Sequence, residues 1–133
     1  MLLTTGLESW GLFVLRVFLG LIFLYHSVPK LIASGKMAKG MGWSSSSVFL
    51  LGFIEFISSL ALIFGFYAEI GALLVGLIML GAIYYKGFKW KIPFSAMNKM
   101  GWEFDFILLG VAVSIIFLGA GEISLDFMFG LWP

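Results

Sequence analysis

Four long apolar runs constrain this chain more than any other feature. They lie at about residues 10–32, 47–66, 68–85 and 103–120. Each approaches the ~20 residues that a helix needs to cross the ~30 Å hydrocarbon core of a bilayer, although the third and fourth are shorter. The segment FGFYAE between the second and third runs is short enough only for a tight helical hairpin. The sequence therefore predicts an all-α membrane protein, a bundle of four transmembrane helices.

The amino-acid composition also indicates a protein that lies in a lipid bilayer. The chain of 133 residues is 62% hydrophobic and 11% charged, whereas soluble domains carry about 25% charged residues. So few residues outside the apolar runs predict one membrane domain over residues 1–133 and no soluble lobe. The net charge of +1 gives no bulk electrostatic reason to bind nucleic acid. Because the chain has no cysteine, it forms no disulfide and carries no thiol redox group.

The positions of the lysines predict an orientation. Six lysines lie in the two loops that follow the first and third runs. The segments on the opposite side of the bundle contain no lysine, and their charged residues are acidic. The positive-inside rule then places both basic loops in the cytoplasm and both termini outside, in a multi-pass protein of the cell membrane. The six loop lysines are Lys36, Lys39, Lys86, Lys89, Lys91 and Lys99.

The first run, which includes LRVFLGLIFLYHSVPKL, contains three basic residues: Arg16, His26 and Lys30. At about 100° per residue they fall with Ser27 on one side of the helix, so this side is expected to face protein. An arginine deep in a spanning helix costs about 2.5–3.5 kcal/mol and is more often paired than solvated. We therefore expect Arg16 to have an acidic partner, whereas Lys30 could either pair or extend to the headgroups.

The second run carries one acid, Glu55, which is ~12 Å from its cytoplasmic end. An isolated carboxylate at this depth would take up a proton. His26 and Lys30 lie at a similar depth and are its expected partners, while Arg16 could also turn to Glu69 or Asp126. Glu55 is either half of a structural ion pair or a group that exchanges protons with a ligand, and the sequence leaves both open.

The last two runs show packing and capping signals. Small residues recur every four positions at Ala68, Ala72 and Gly76, which predicts close helix packing. Glu103 and Asp105 begin the fourth run, where a helix N-terminus favours acids, so we expect Asp105 to act in capping. We also expect the segments ASGKMAKGMG after the first run and GAGEISLDFMFG after the fourth to form a loop and a structured turn.

In order and spacing, LRVFLGLIFLYHSVPKL, FIEFISSLALIFGF and WEFDFILLGVAVSIIFLGAGEISLD resemble the DoxX family of four-helix membrane proteins over nearly the whole chain. The glycine-rich turn followed by Ser-Leu-Asp is the most specific part of this resemblance. Two positions depart from the family pattern, Ser27 and Glu122. The matching polar positions are Arg16, Glu55, Glu103, Ser124 and Asp126, with the segment 20–30.

What the resemblance implies about function is mixed. Some members of the family are membrane subunits linked to quinone-dependent oxidation of reduced sulfur compounds, and others associate with proteins of thiol and oxidative stress. Related eukaryotic four-helix proteins carry cargo. This chain has a single histidine and no cysteine, so it cannot by itself hold a bis-histidine haem or an iron–sulfur cluster, and it has no nucleotide-binding glycine fingerprint. A mobile quinone is the redox carrier that suits it.

Three hypotheses follow. The first is a quinone-binding membrane subunit of an oxidoreductase, with Glu55, His26 and Lys30 as catalytic contacts, no covalent cofactor and no metal site. The second is a non-catalytic membrane anchor or assembly subunit whose basic loops dock another protein. The third is a small binder or transporter of a lipid or weak acid, with Arg16 as the anion contact. The expected partners are membrane lipid and either another subunit or a second copy of the chain. A further binding or structural polar network is expected at Arg16, Glu103, Ser124 and Asp126.

Overall fold

The protein is all-helical in the computed structural model, which describes residues 6–131. No β-strand occurs within this range, so the predicted fold class, an all-α membrane protein, is confirmed. The helices are α1 (Leu7–Ile32), α2 (Ser34–Met41), α3 (Ser45–Phe64), α4 (Ala68–Tyr84) with a π-helical turn at Tyr85–Lys89, α5 (Glu103–Leu118) and α6 (Leu125–Met128).

Three of these helices are long and apolar enough to cross a membrane: Leu7–Ile32, Ser45–Phe64 and Ala68–Lys89, the last being α4 with its π-helical turn. The fourth run also forms a helix, but α5 has 16 residues. At 1.5 Å per residue it is ~24 Å long, which is less than the ~30 Å hydrocarbon core. A crossing by α5 and the orientation of the termini therefore stay predictions.

The long helices run antiparallel in sequence order, and glycines bring α1 and α3 into backbone contact. A Cβ atom added at Gly20 would lie 2.6 Å from Ile63 Cγ1 and 2.9 Å from Ser59 O, and one added at Gly52 would lie 2.6 Å from Lys30 Cβ. Such distances leave no room for any side chain. The two helices therefore pack at the close range that small residues permit in membranes.

The small residues predicted on α4 lie in the interior. Ala68 and Ala72 are fully buried, and a Cβ atom added at Gly76 would contact Leu109 and Ala112 of α5 at 3.8 and 3.9 Å. This confirms that the four-residue spacing marks a packing face. Neighbouring core residues on α1, α3, α4 and α5 complete one apolar cluster: Leu19, Phe23, Leu62, Val75, Met79, Leu108 and Ile115.

The connection between α3 and α4 is the predicted tight hairpin. Gly65 ends α3 with φ 68°, and Tyr67 precedes α4 with φ 52°. Only a residue without a Cβ atom adopts such a φ at no steric cost, which accounts for glycine at position 65. We call the end of the bundle that carries this hairpin the hairpin end. The opposite end, where α1 ends and α5 begins, is the cavity end.

Two segments contain helix that the sequence did not indicate. Residues 34–41, predicted as a loop, form α2, on which Lys36 and Lys39 are exposed and Ala38 is buried. The expected turn after α5 includes the short helix α6, which begins after Ser124. The helix α2 packs on α3 and α1, whereas α6 is held by the hydrogen bonds of Asp126 to the connection between α3 and α4. Short helices of this kind have too little propensity of their own to be predicted.

Candidate functional site

A cavity of about 310 Å³ opens at the cavity end, between α1, α3, α4 with its π-helical turn, and α5. Ligand pockets of proteins begin at about this size. The wall is mostly aromatic and aliphatic, but it includes two lysines, two carboxylates and the single histidine of the chain. The aromatic and charged lining residues are Phe23, His26, Lys30, Trp43, Glu55, Tyr85, Lys86, Trp90, Phe104 and Asp105.

The first pair of charges joins α1 to α3. Lys30 Nζ lies 2.8 Å from Glu55 Oε2 and 3.1 Å from Oε1, and it also donates to the His26 carbonyl oxygen at 3.2 Å. The Lys30 side chain is 13% exposed and that of Glu55 3%. Of the two partners expected for Glu55, the structure selects Lys30, so the lysine is paired rather than extended to the headgroups.

The second pair joins the end of α4 to the start of α5. Lys86 Nζ lies 2.7 Å from Asp105 Oδ2, and the side chains are 20% and 7% exposed. Asp105 lies in the first turn of α5, as expected, and the N-cap residue Trp102 makes no side-chain capping hydrogen bond. The carboxylate of Asp105 is instead paired with Lys86. Lys86 was missed because it directly follows an apolar run and was counted as a loop residue. The available signal was that Lys86 lies within one helical turn of several aromatic residues in the sequence.

The π-helical turn places this second pair. Trp90 N donates to Tyr85 O at 2.8 Å and Ile92 N to Lys86 O at 2.7 Å, so the chain widens where α4 ends. The Tyr85 ring lies 5.2 Å from that of Trp43 and 5.8 Å from that of Trp90. These three rings form one aromatic wall of the cavity.

His26 occupies the wall between the two ion pairs. Its ring lies 6.3 Å from the Phe104 ring and 5.6 Å from the Tyr25 ring. It belongs to the same cavity as Lys30 and Glu55, so the three residues predicted as catalytic contacts are brought together. Their chemical role stays a prediction. Among residues 6–131 no group of three His, Cys, Asp or Glu side chains could hold a metal ion.

Arg16 lies at the hairpin end and is fully buried. Its Nη1 donates to Leu62 O at 2.9 Å and its Nη2 donates to Ile123 O. Leu62 belongs to the last turn of α3, where Phe66 N bonds to Ala61 O instead. The guanidinium therefore supplies the missing donor for a carbonyl at a helix C-terminus, where the helix dipole favours a cation.

Asp126 binds the N-terminus of α4, which lies next to the C-terminus of α3 in the hairpin. Its two carboxylate oxygens accept from Tyr67 N at 2.6 Å and from Ala68 N at 3.0 Å, which caps the N-terminus of α4. The expected direct ion pair of Arg16 with an acid does not form: across residues 6–131 neither ion pair includes Arg16. Asp126, one of the two acids expected beside it, attracts the guanidinium only through a longer-range electrostatic interaction. The partial charges of the two helix ends take the place of a direct ion pair between these side chains.

The remaining polar positions do not reach the cavity. Ser124 accepts from Phe127 N at 3.2 Å and donates to Gly121 O at 2.5 Å, so it shapes the turn at the hairpin end. Glu103 is exposed and accepts from Ser95 Oγ at 3.1 Å. The predicted polar network thus separates into a group at the hairpin end, with Arg16, and the isolated Glu103.

Comparison with known proteins agrees with this architecture. The family model for DoxX matches residues 11–87, which cover α1 to the π-helical turn and include Lys30, Glu55 and Lys86. The chain is also 29% identical over 119 residues to a protein of Bacillus subtilis (strain 168) that bears the name "Putative oxidoreductase CatD"; the match covers 87% of this chain and 84% of that protein. No solved structure gives a significant match. Because the family model covers more than half of its length, this membrane protein belongs to the DoxX family.

Proposed function

We propose that the cavity binds a quinone and that the protein is the quinone-linked membrane subunit of an oxidoreductase. The observation that carries the proposal is the combination of aromatic walls with paired ammonium and carboxylate groups in one cavity at an end of the bundle. A quinone is a flat apolar ring with carbonyl oxygens at its edge. Such a ring suits aromatic walls, and its oxygens suit a few well-placed donors.

The donors are available on one wall. Lys30 and His26 line the cavity near Glu55, and the bond of Lys30 to the His26 carbonyl is the longest of its three. Lys30 can exchange this bond for a ligand oxygen while it keeps its contact with Glu55. The His26 ring offers a second N–H donor to the same space. We assign these two side chains to the hydrogen bonds that hold the ring oxygen.

A bound quinone takes up two electrons and two protons. Glu55 is the group that can hold a proton beside Lys30, and His26 can release or accept one at a ring nitrogen. The electrons must come from another protein, because this chain has no cysteine and one histidine, and therefore no metal cluster or bis-histidine haem of its own. The name of the Bacillus subtilis relative, an oxidoreductase, is consistent with such a role.

Tryptophan fluorescence gives a direct test, because quinones quench nearby indoles. Trp43 and Trp90 line the cavity, whereas Trp10 is 58% exposed near the start of α1, at the hairpin end. Titration of the protein in dodecylmaltoside micelles with 2,3-dimethyl-1,4-naphthoquinone should give a saturable loss of fluorescence. Replacing both Trp43 and Trp90 with phenylalanine should remove the saturable component.

The matched control is Trp10→Phe, which should leave the saturable component unchanged. Quenching that rises without saturation, or that persists at full amplitude after the double substitution, would refute a quinone site in this cavity. A protein that retains a soluble partner on purification but shows no saturable quenching would instead be a membrane anchor.

A further inference from the structure

We propose that Lys86 and Asp105 form a second ligand anchor, so that the cavity selects an uncharged molecule with hydrogen-bond acceptors at both ends. The inference rests on the proposed function and narrows its substrate class to 1,4-quinones. The first anchor is Lys30 with Glu55. Neither Lys86 nor Asp105 was assigned a role in the cavity by the sequence pattern.

The charge of the cavity wall favours an uncharged ligand. The two lysines and two carboxylates form two pairs at 2.7–2.8 Å, so their charges sum to zero. An anionic ligand would add a negative charge beside Glu55 and Asp105, whose charges the two lysines already balance, and no further cation of the described residues lines the cavity to balance it. An uncompensated charge in a mostly apolar cavity is strongly unfavourable. Weak acids are therefore disfavoured, although the site contains two lysines.

The positions of the pairs favour a ligand with two acceptors. Lys30 and Glu55 belong to α1 and α3, whereas Lys86 and Asp105 belong to the end of α4 and the start of α5. The pairs thus come from different walls, with His26 and Phe104 in contact between them. A ring in this space that presents a carbonyl oxygen at each end offers one acceptor to each of these walls, and each wall carries one ammonium group.

The second pair, Lys86 with Asp105, is accessible from the cavity. The Lys86 side chain is 20% exposed, more than any other member of the two pairs, and it lines the cavity. It is placed there by the π-helical turn, a distortion that is frequent at functional sites. A pair needed only to join α4 to α5 requires neither exposure to the cavity nor a distorted helix end.

Three probes of similar ring size test the inference: 1,4-naphthoquinone, 1-tetralone with a single carbonyl, and 1,4-naphthoquinone-2-sulfonate, an anion. The two quinones are each measured by their own saturable quenching, and 1-tetralone by how it displaces 1,4-naphthoquinone. Since a hydrogen bond from a charged donor is worth roughly tenfold or more in affinity, the neutral quinone should bind at least about tenfold more tightly than either. This comparison uses the unaltered protein and needs no folded variant.

The variant that removes the second anchor combines Lys86→Gln with Asp105→Asn. It removes both charges of the pair, so neither residue is left as an unpaired charge. This double variant should bind 1,4-naphthoquinone about tenfold more weakly than the unaltered protein, whereas its affinity for 1-tetralone should be nearly unchanged. The control is Lys89→Gln, at an exposed lysine of the same turn that does not line the cavity. It should change neither affinity.

The outcomes separate the two proposals. If 1,4-naphthoquinone shows no saturable binding to the unaltered protein, the proposed function fails. If it binds but 1-tetralone or the sulfonate binds equally well, only the second anchor is refuted. An equal loss of affinity for 1,4-naphthoquinone and 1-tetralone in the double variant would also refute it, because it would show a general disturbance of the cavity.

Discussion

Replacing Arg16 with methionine is expected to lower the free energy of unfolding by about 2–4 kcal/mol. Methionine has a similar length but neither charge nor N–H donors. The substitution leaves the carbonyl oxygens of Leu62 and Ile123 without their side-chain donor, and an unpaired buried acceptor costs about 1–3 kcal/mol. Two acceptors give a total of about 2–6 kcal/mol. Release from the cost of burying a cation offsets part of this sum.

Arg16→Lys separates charge from geometry. Lysine keeps the positive charge at the C-terminus of α3, but its single nitrogen cannot reproduce the two-pronged contact of a guanidinium. We expect it to lose about half as much stability as Arg16→Met. The control is Lys89→Met, which removes an exposed cation and should cost less than about 0.5 kcal/mol.

Unfolding can be followed by tryptophan fluorescence during titration with dodecyl sulfate in mixed micelles with dodecylmaltoside. If Arg16→Met is as stable as the parent protein, the two carbonyl contacts do not stabilise the hairpin end. If Arg16→Lys equals the parent, the charge alone matters and the forked geometry does not. A loss in Lys89→Met as large as that in Arg16→Met would trace the effect to net charge.

Three further predictions concern other parts of the fold. Gly65→Ala should cost at least about 1–2 kcal/mol in the same assay, since φ 68° is unfavourable with a Cβ atom and the added atom would meet the buried guanidinium; a stability equal to the parent would contradict this packing. Glu55→Gln should cost about 1–3 kcal/mol, because glutamine keeps one acceptor oxygen for Lys30 but removes its counter-charge, and an unchanged unfolding midpoint would show that the charge of Glu55 contributes nothing to stability. Cysteines at positions 36 and 89 should react with an impermeant maleimide only from the cytoplasmic side, and labelling from outside intact cells would reverse the predicted orientation.

Much of the fold is readable in the sequence because the bilayer imposes a simple rule. A segment in hydrocarbon must satisfy its own backbone hydrogen bonds, so a long apolar run becomes a helix and its length can be read directly. The runs at 10–32 and 47–66 match α1 and α3 within a few residues. The amphipathic α2 was missed, since eight residues with two glycines carry little signal of their own.

The candidate site was predicted in part. His26, Lys30 and Glu55 stood out because ionisable residues are rare in apolar runs. Lys86 and Asp105 did not, because each lies at the boundary of a run, where a basic loop residue and an acidic first turn are ordinary features. The π-helical turn that directs Lys86 toward Asp105 has no pattern in the sequence that periodicity could detect.

The sequence by itself determined three things: that the chain lies in a bilayer, that it is helical, and which ionisable residues lie within the apolar runs. Each of these depends only on residue type and spacing. Only the tertiary structure decided the partner of each charge. Arg16 was expected to need an acid, yet it lies beside the end of α3, where unpaired carbonyls provide the negative potential, while Asp126 caps α4 across the same hairpin. Helix ends acquire their partial charges from the aligned peptide groups of the folded helix. Which side chain lies against which end depends on how the helices pack, and spacing along the chain does not specify that.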